Sequence, residues 1–165
     1  MTTLLGIDPG LAATGWGVVR FDGARFRHVA HGVVSTGPEL PLPDRLRAIY
    51  EGILSVLEEY KPDEAGVEEL YFARNVASAI PVAHARGVAV LALGQRGVPT
   101  GFYQPQQVKQ AVIGRGRAEK GQVQRLVAVL LGLEEVPSPD HAADALAVAV
   151  CHCQRARLDV QQPVR

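Results

Sequence analysis

Several things are missing from this 165-residue chain. Cysteine is nearly absent: Cys151 and Cys153 are the only two. Side chains two apart on a helix point to different sides, which argues against a disulfide or a metal clip with the intervening His152. Two packed, reduced thiols suit a reducing cytoplasm, where the chain is expected to work. No apolar run approaches the roughly 20 residues that cross a bilayer. Met1 to Asp8 carries no charged leader ahead of its apolar stretch, so neither a membrane span nor a signal peptide is expected. Net charge is missing too, 17 basic residues meeting 17 acidic ones, so any pull toward nucleic acid has to come from local patches. Internal repeats, low-complexity tracts and the glycine phosphate loops GxGxxG and GxxxxGKS/T are likewise absent.

What is present is enough apolar residue, 47%, for one core over residues 1–165, read as a single domain with the last eight or so residues a flexible tail. Residues 3–8 are apolar and run into the turn Asp8-Pro9-Gly10. Gly15 to Val19 and Phe26 to Val34 are two further strands, joined by a tight turn at Asp22-Gly23, which predicts an antiparallel meander. After the proline-rich loop Gly37 to Pro43, the stripe Leu46, Ile49, Ile53, Leu57 and Tyr60 predicts a helix over 44–60. Strands follow at 65–70 and 98–103, and helices at 76–93, 105–113 and 123–131. A last helix is expected to start with Ser138 as N-cap and Pro139 in its first position, and to run to about Arg155. That order describes a mixed sheet with helices on its faces.

Three carboxylates stand in apolar company. Asp8 closes the first strand, Glu68 lies near the end of another, and Asp144 is embedded in Ala142-Ala143-Asp144-Ala145-Leu146-Ala147. Buried carboxylates need a partner or a metal. If the three converge, their repulsion calls for hard divalent cations with oxygen ligands. His141 precedes Asp144 by three residues, roughly 60° around a helix, so both can face one site. Each has a plainer reading: Asp8 as a turn residue, Glu68 as a solvated edge residue, His141 as a helix-start surface residue. Strand alternation puts Glu69 on the face opposite Glu68. Basic residues gather between Phe102 and Arg125, with Lys109, Arg115, Arg117, Lys120 and Arg125 against Glu119 alone, whereas acid gathers between Glu51 and Glu69.

Gly6-Ile7-Asp8-Pro9-Gly10 with Thr14-Gly15-Trp16-Gly17, Val67 to Phe72, Ala85-Arg86-Gly87-Val88, Gln107 to Val112 and Ala142 to Ala147 together resemble the RuvC resolvases, in order, over residues 3 to 155. The resemblance implies a ribonuclease-H-like α/β fold with a five-stranded mixed sheet. It implies a homodimeric endonuclease that resolves Holliday junctions by paired symmetrical nicks, leaves ligatable 5′-phosphates, and works with the RuvA–RuvB motor. It carries a metal-binding and catalytic tetrad onto Asp8, Glu68, His141 and Asp144. Two divalent ions are then expected, Mg²⁺ or Mn²⁺, with the imidazole of His141 favouring Mn²⁺. Many members have aspartate where this chain has His141, which leaves open whether it is a ligand or a general base. Lys109 and Lys120 match basic residues beside the scissile phosphate. Tyr71 matches a junction wedge, with Phe72, Arg74 and Asn75 beside it, and Arg115 and Arg117 form a basic loop for phosphates. The alternatives are another ribonuclease-H-like nuclease, such as a YqgF-like RNA-processing enzyme, and a non-catalytic junction binder.

Overall fold

The computed structural model describes residues 1–69, 76–114 and 119–161. Three strands, β1 (Thr2–Asp8), β2 (Ala13–Phe21) and β3 (Phe26–Ser35), form the expected antiparallel meander. The β2–β3 turn is held by the Asp22 carboxylate, which accepts from the amides of Ala24 and Arg25 at 2.9 Å each. Gly23 supplies the positive φ of 104° that the turn needs. Next come α1 (Leu42–Tyr60), β4 (Glu64–Glu68), α2 (Val76–Gln95) and β5 (Thr100–Tyr103), then α3 (Pro105–Ile113), α4 (Lys120–Leu131) and α5 (Asp140–Gln161). The sheet order is β3-β2-β1-β4-β5, with β4 parallel to both β1 and β5. This is the five-stranded mixed sheet of the ribonuclease-H-like fold.

Several boundaries differ from the sequence expectation. Helix α1 starts at Leu42, inside the predicted loop, because Pro43 sits in the first turn, where its missing N–H costs nothing. The first turn of α5 closes on the Pro139 carbonyl, which accepts from Ala142 and Ala143. Pro139 therefore stands at the cap and Ser138 lies before it, one place earlier than expected. Helix α4 runs from Lys120 to Leu131 and contains the expected helical segment 123–131. Helix α5 continues to Gln161, so residues 158–161 extend the helix where a tail was expected, and 162–165 lie outside the described residues.

The two faces of the sheet bury separate cores. Leu5, Ile7, Val18, Ala65 and Val67 pack with Ile49 and Ile53 of α1 and Ala85, Ala89 and Leu93 of α2. Leu4, Val19 and Phe21 pack with α3, α4 and the apolar run Leu146 to Cys151 of α5. Across that second face runs a row of glycines one strand apart: Gly17 pairs with Gly6, Gly6 with Gly66, and Gly66 with Gly101. A Cβ at Gly6 would fall 1.9 Å from the Ala145 carbonyl oxygen, and one at Gly66 would fall 2.9 Å from the His152 Cβ. Gly15, outside the row, would likewise place a Cβ 1.9 Å from the His141 carbonyl oxygen. The bare strands let the helix backbone lie directly on the sheet.

Farther along α5, His152 is buried and both ring nitrogens are engaged. Nδ1 accepts from the Tyr103 hydroxyl at 2.8 Å, and Nε2–H donates to Glu64 at 3.0 Å. Cys151 and Cys153 flank it as free, buried thiols, both raised above the ordinary thiol value first by burial. Among the described residues no helix is long and apolar enough to cross a membrane.

Candidate active site

The site lies where β1 and β4, adjacent and parallel, both end. Ile7 pairs with Val67, so Asp8 and Glu68 come off neighbouring strand termini side by side. Open α/β sheets place ligands at such carboxyl ends. The turn beyond Asp8 is fixed by the fully buried Thr14, whose hydroxyl donates to the Gly10 carbonyl at 2.7 Å. Helix α5, seated on the glycine row, brings His141 and Asp144 over the same spot.

The four residues sense one another. Glu68 is pushed up to about 8, first by burial, then by the charge of Asp8, a hydrogen bond shared with Asp8, and the charge of Asp144. A neutral Glu68 therefore donates to Asp8 near neutral pH. The His141 Nδ1 lies 2.7 Å from Asp8 Oδ2, and that bond raises the imidazole above its ordinary value. Lys120, on the first turn of α4, sets its Nζ 2.8 Å from Asp144 Oδ2 and 3.6 Å from Asp140 Oδ2, and it is held charged first by the Asp144 bond. Glu68, Lys109, Lys120 and Asp144 line one cleft together with Pro105, Val108, Val123 and Ala147. Glu69 turns to the other face, as strand alternation requires, with Arg86 of α2 3.9 Å away.

All six residues expected to be catalytic thus gather at one end of the sheet. As they stand, no three His, Cys, Asp or Glu side chains among the described residues are arranged to hold a metal ion. The contacts explain this: His141 has turned to Asp8, Lys120 to Asp144, and Glu68 shares a proton with Asp8. A carboxylate cluster that neutralises itself by a protonated glutamic acid, an imidazole and an ammonium is short of positive charge. Hard divalent cations fit that donor set, the oxygens being their preferred ligands. The expected DNA-contacting residues Tyr71, Phe72, Arg74, Asn75, Arg115 and Arg117 lie outside the described residues. Sequence reasoning missed the Lys120–Asp144 and His141–Asp8 pairs and the glycine row. Of these only the row had a signal, glycine at the middle of apolar strands.

A protein-family model described as crossover junction endodeoxyribonuclease RuvC matches residues 4–152. The RuvC endonuclease of Chloroflexus aggregans is 52% identical over 152 residues, 92% of this chain and 93% of that one. Its counterpart in Desulforamulus reducens is 50% identical over 151 residues, with the same shares. Among solved structures, T. thermophilus RuvC in complex with a Holliday junction substrate superposes with a TM-score of 0.91 at 41% identity. That match covers 96% of this chain and 97% of the other.

Proposed function

The chain belongs to the RuvC family of crossover junction endodeoxyribonucleases, and we propose from that premise that it resolves Holliday junctions by paired nicks in recombination and repair. The observation that carries the reading is the convergence of Asp8, Glu68, His141 and Asp144 at the ends of β1 and β4, with Lys109 and Lys120 lining the same cleft. Such an arrangement gathers metal-binding carboxylates beside phosphate-binding ammonium groups.

Asp8, Glu68, Asp144 and His141 would hold two divalent cations, Mg²⁺ or Mn²⁺. Such a pair, when bound, lowers the pKa of the attacking water and offsets charge on the leaving oxygen. For that, Glu68 must give up its proton, His141 must expose a bare ring nitrogen, and Lys120 must release Asp144. Freed in this way, the Lys120 ammonium turns to the phosphate, where with Lys109 it stabilises charge that develops as the bond breaks. His141 has two consistent roles. Its Nδ1 rests on Asp8; it would either serve as a metal ligand through a ring nitrogen or, unbound to metal, act as the base for the nucleophilic water.

Tyr71, with Phe72, Arg74 and Asn75, would open the junction, and Arg115 and Arg117 would follow its phosphates, in line with the family's habit. A homodimer is supported by α2, whose outward residues Ile80, Ala83, Gly87 and Leu91 are exposed and uncharged. Association with RuvA and RuvB and a cytoplasmic location rest on the family. A synthetic mobile four-way junction, a linear duplex and an RNA–DNA hybrid of the same sequence, offered with Mg²⁺ or Mn²⁺, test the proposal. Symmetrical nicks on the junction alone support it. Preferred cleavage of the hybrid points to the RNA-processing alternative, and tight junction binding without cleavage points to the non-catalytic one.

A further inference from the structure

On a regular strand, side chains three apart point to opposite faces. Strand β3 breaks that rule once. Its register with β2 shifts between Val18, which pairs with Ala30, and Val19, which pairs with His28, leaving Val29 as the extra residue of a bulge. The bulge turns His28 and His31 onto the same face. His28 Nε2 lies 2.7 Å from His31 Nδ1, with ring centroids 4.9 Å apart and planes at 62°. Bulges commonly re-aim side chains in this way. The pair stands on the edge strand of the sheet, on the side that α5 covers, since cross-strand partners share a face and Gly17, opposite His31, abuts Leu146.

We propose that His28 and His31 form a two-histidine site for a late divalent transition ion of the nickel, copper or zinc kind, separate from the carboxylate cluster. Imidazole nitrogen suits these ions, whereas carboxylate oxygens suit magnesium and manganese, so the two sites sort metals by donor type. Tetrahedral coordination at the usual Zn–N length sets the two nitrogens roughly 3.3 Å apart. In the present hydrogen-bonded pair the two nitrogens face each other 2.7 Å apart across one proton, so an ion takes that proton's place once both rings rotate to aim their lone pairs at a common point. Water fills the remaining positions. His28 is in the protonation state a ligand requires: burial first, and then the His31 charge, hold its imidazole below the ordinary value, so it is neutral at pH 7. An ion bound on both sides of Val29 would fasten the bulge and favour the folded chain.

The test uses the full-length protein carrying Asp8→Asn and Asp144→Asn, which disables the carboxylate cluster. Titration with Ni²⁺ is expected to show one bound equivalent and a raised unfolding temperature, both lost when His28→Gln and His31→Gln are added. Equal Ni²⁺ uptake with and without the histidines overturns the proposal. Should the histidine variant fail to fold, Cu²⁺ added to the Asp8→Asn/Asp144→Asn protein decides by electron paramagnetic resonance. Hyperfine structure from two imidazole nitrogens supports the site, and an oxygen-only or single-nitrogen spectrum overturns it.

Discussion

Lys120 Nζ donates to Asp144 Oδ2 at 2.8 Å, which makes the ammonium the immediate counter-charge of a carboxylate set among the buried alanines of α5. The same lysine lowers the pKa of Glu68. It therefore competes with divalent cations for the cluster before it can assist the phosphate. Lys120→Met is expected to tighten Mn²⁺ binding several-fold and yet slow single-turnover junction cleavage by about 10²-fold, the usual loss when one charge-stabilising donor is removed. Calorimetric Mn²⁺ titration and single-turnover nicking read the two effects separately.

Protons and metal ions should exclude one another at this site. Glu68 is raised to about 8 and His141 is raised above 6.5, and neither coordinates while protonated. Divalent-ion affinity is expected to climb as pH rises toward 8. In the metal-free protein the sign is opposite. A group whose folded pKa is raised contributes stability below its unfolded value and loses that contribution as pH rises through the folded one. The contribution of Glu68 to metal-free stability is thus expected to fall between about pH 4.5 and 8, so the wild type should lose more stability across that range than Glu68→Gln. Thermal melts in chelator across that range, with and without Mn²⁺, measure both slopes. The pH–rate profiles of the wild type and His141→Asp should also part on the acid side, and coincident profiles would remove His141 from the chemistry.

Close approach of α5 to the sheet depends on Gly6. A Cβ there would sit 1.9 Å from the Ala145 carbonyl oxygen, a backbone atom that no side-chain rotation can move aside. Gly6→Ala is expected to destabilise the protein by roughly 3 kcal/mol or more. It should also abolish nicking, because His141 and Asp144 ride on the displaced helix. Gly121→Ala on α4 would meet only the end of Arg125, at 3.8 Å. There alanine should stabilise, by about 0.5 kcal/mol. Urea melts of the two variants give the contrast.

The carboxylates were legible because each sat in the wrong company: Asp8 and Glu68 ending apolar strands, Asp144 inside an alanine-rich helix turn. Strand periodicity also separated Glu68 from Glu69, which the Arg86 contact bears out. Pairings across 24 and 133 residues, Lys120 with Asp144 and His141 with Asp8, carry no periodic signal and emerge only from the packing of α4 and α5 on the sheet. Prolines misled at two helix starts. Pro43 belongs to a proline-rich stretch that predicts a loop although the first turn accepts it, and Pro139 suits a first helical position although it occupies the cap. The row Gly6, Gly17, Gly66 and Gly101 was visible as mid-strand glycine, but its alignment needs the strand order and register, which no local pattern contains.

The most direct measurement is nicking of a mobile four-way junction by the wild type and by Asp144→Asn, with Mg²⁺ and with Mn²⁺, alongside junction binding. A two-cation site built on Asp144 predicts paired nicks from the wild type and at least about a 10²-fold loss in the variant, with junction affinity retained. Undiminished cleavage by Asp144→Asn would contradict it, because the carboxylate that Lys120 guards would then have no part in the reaction.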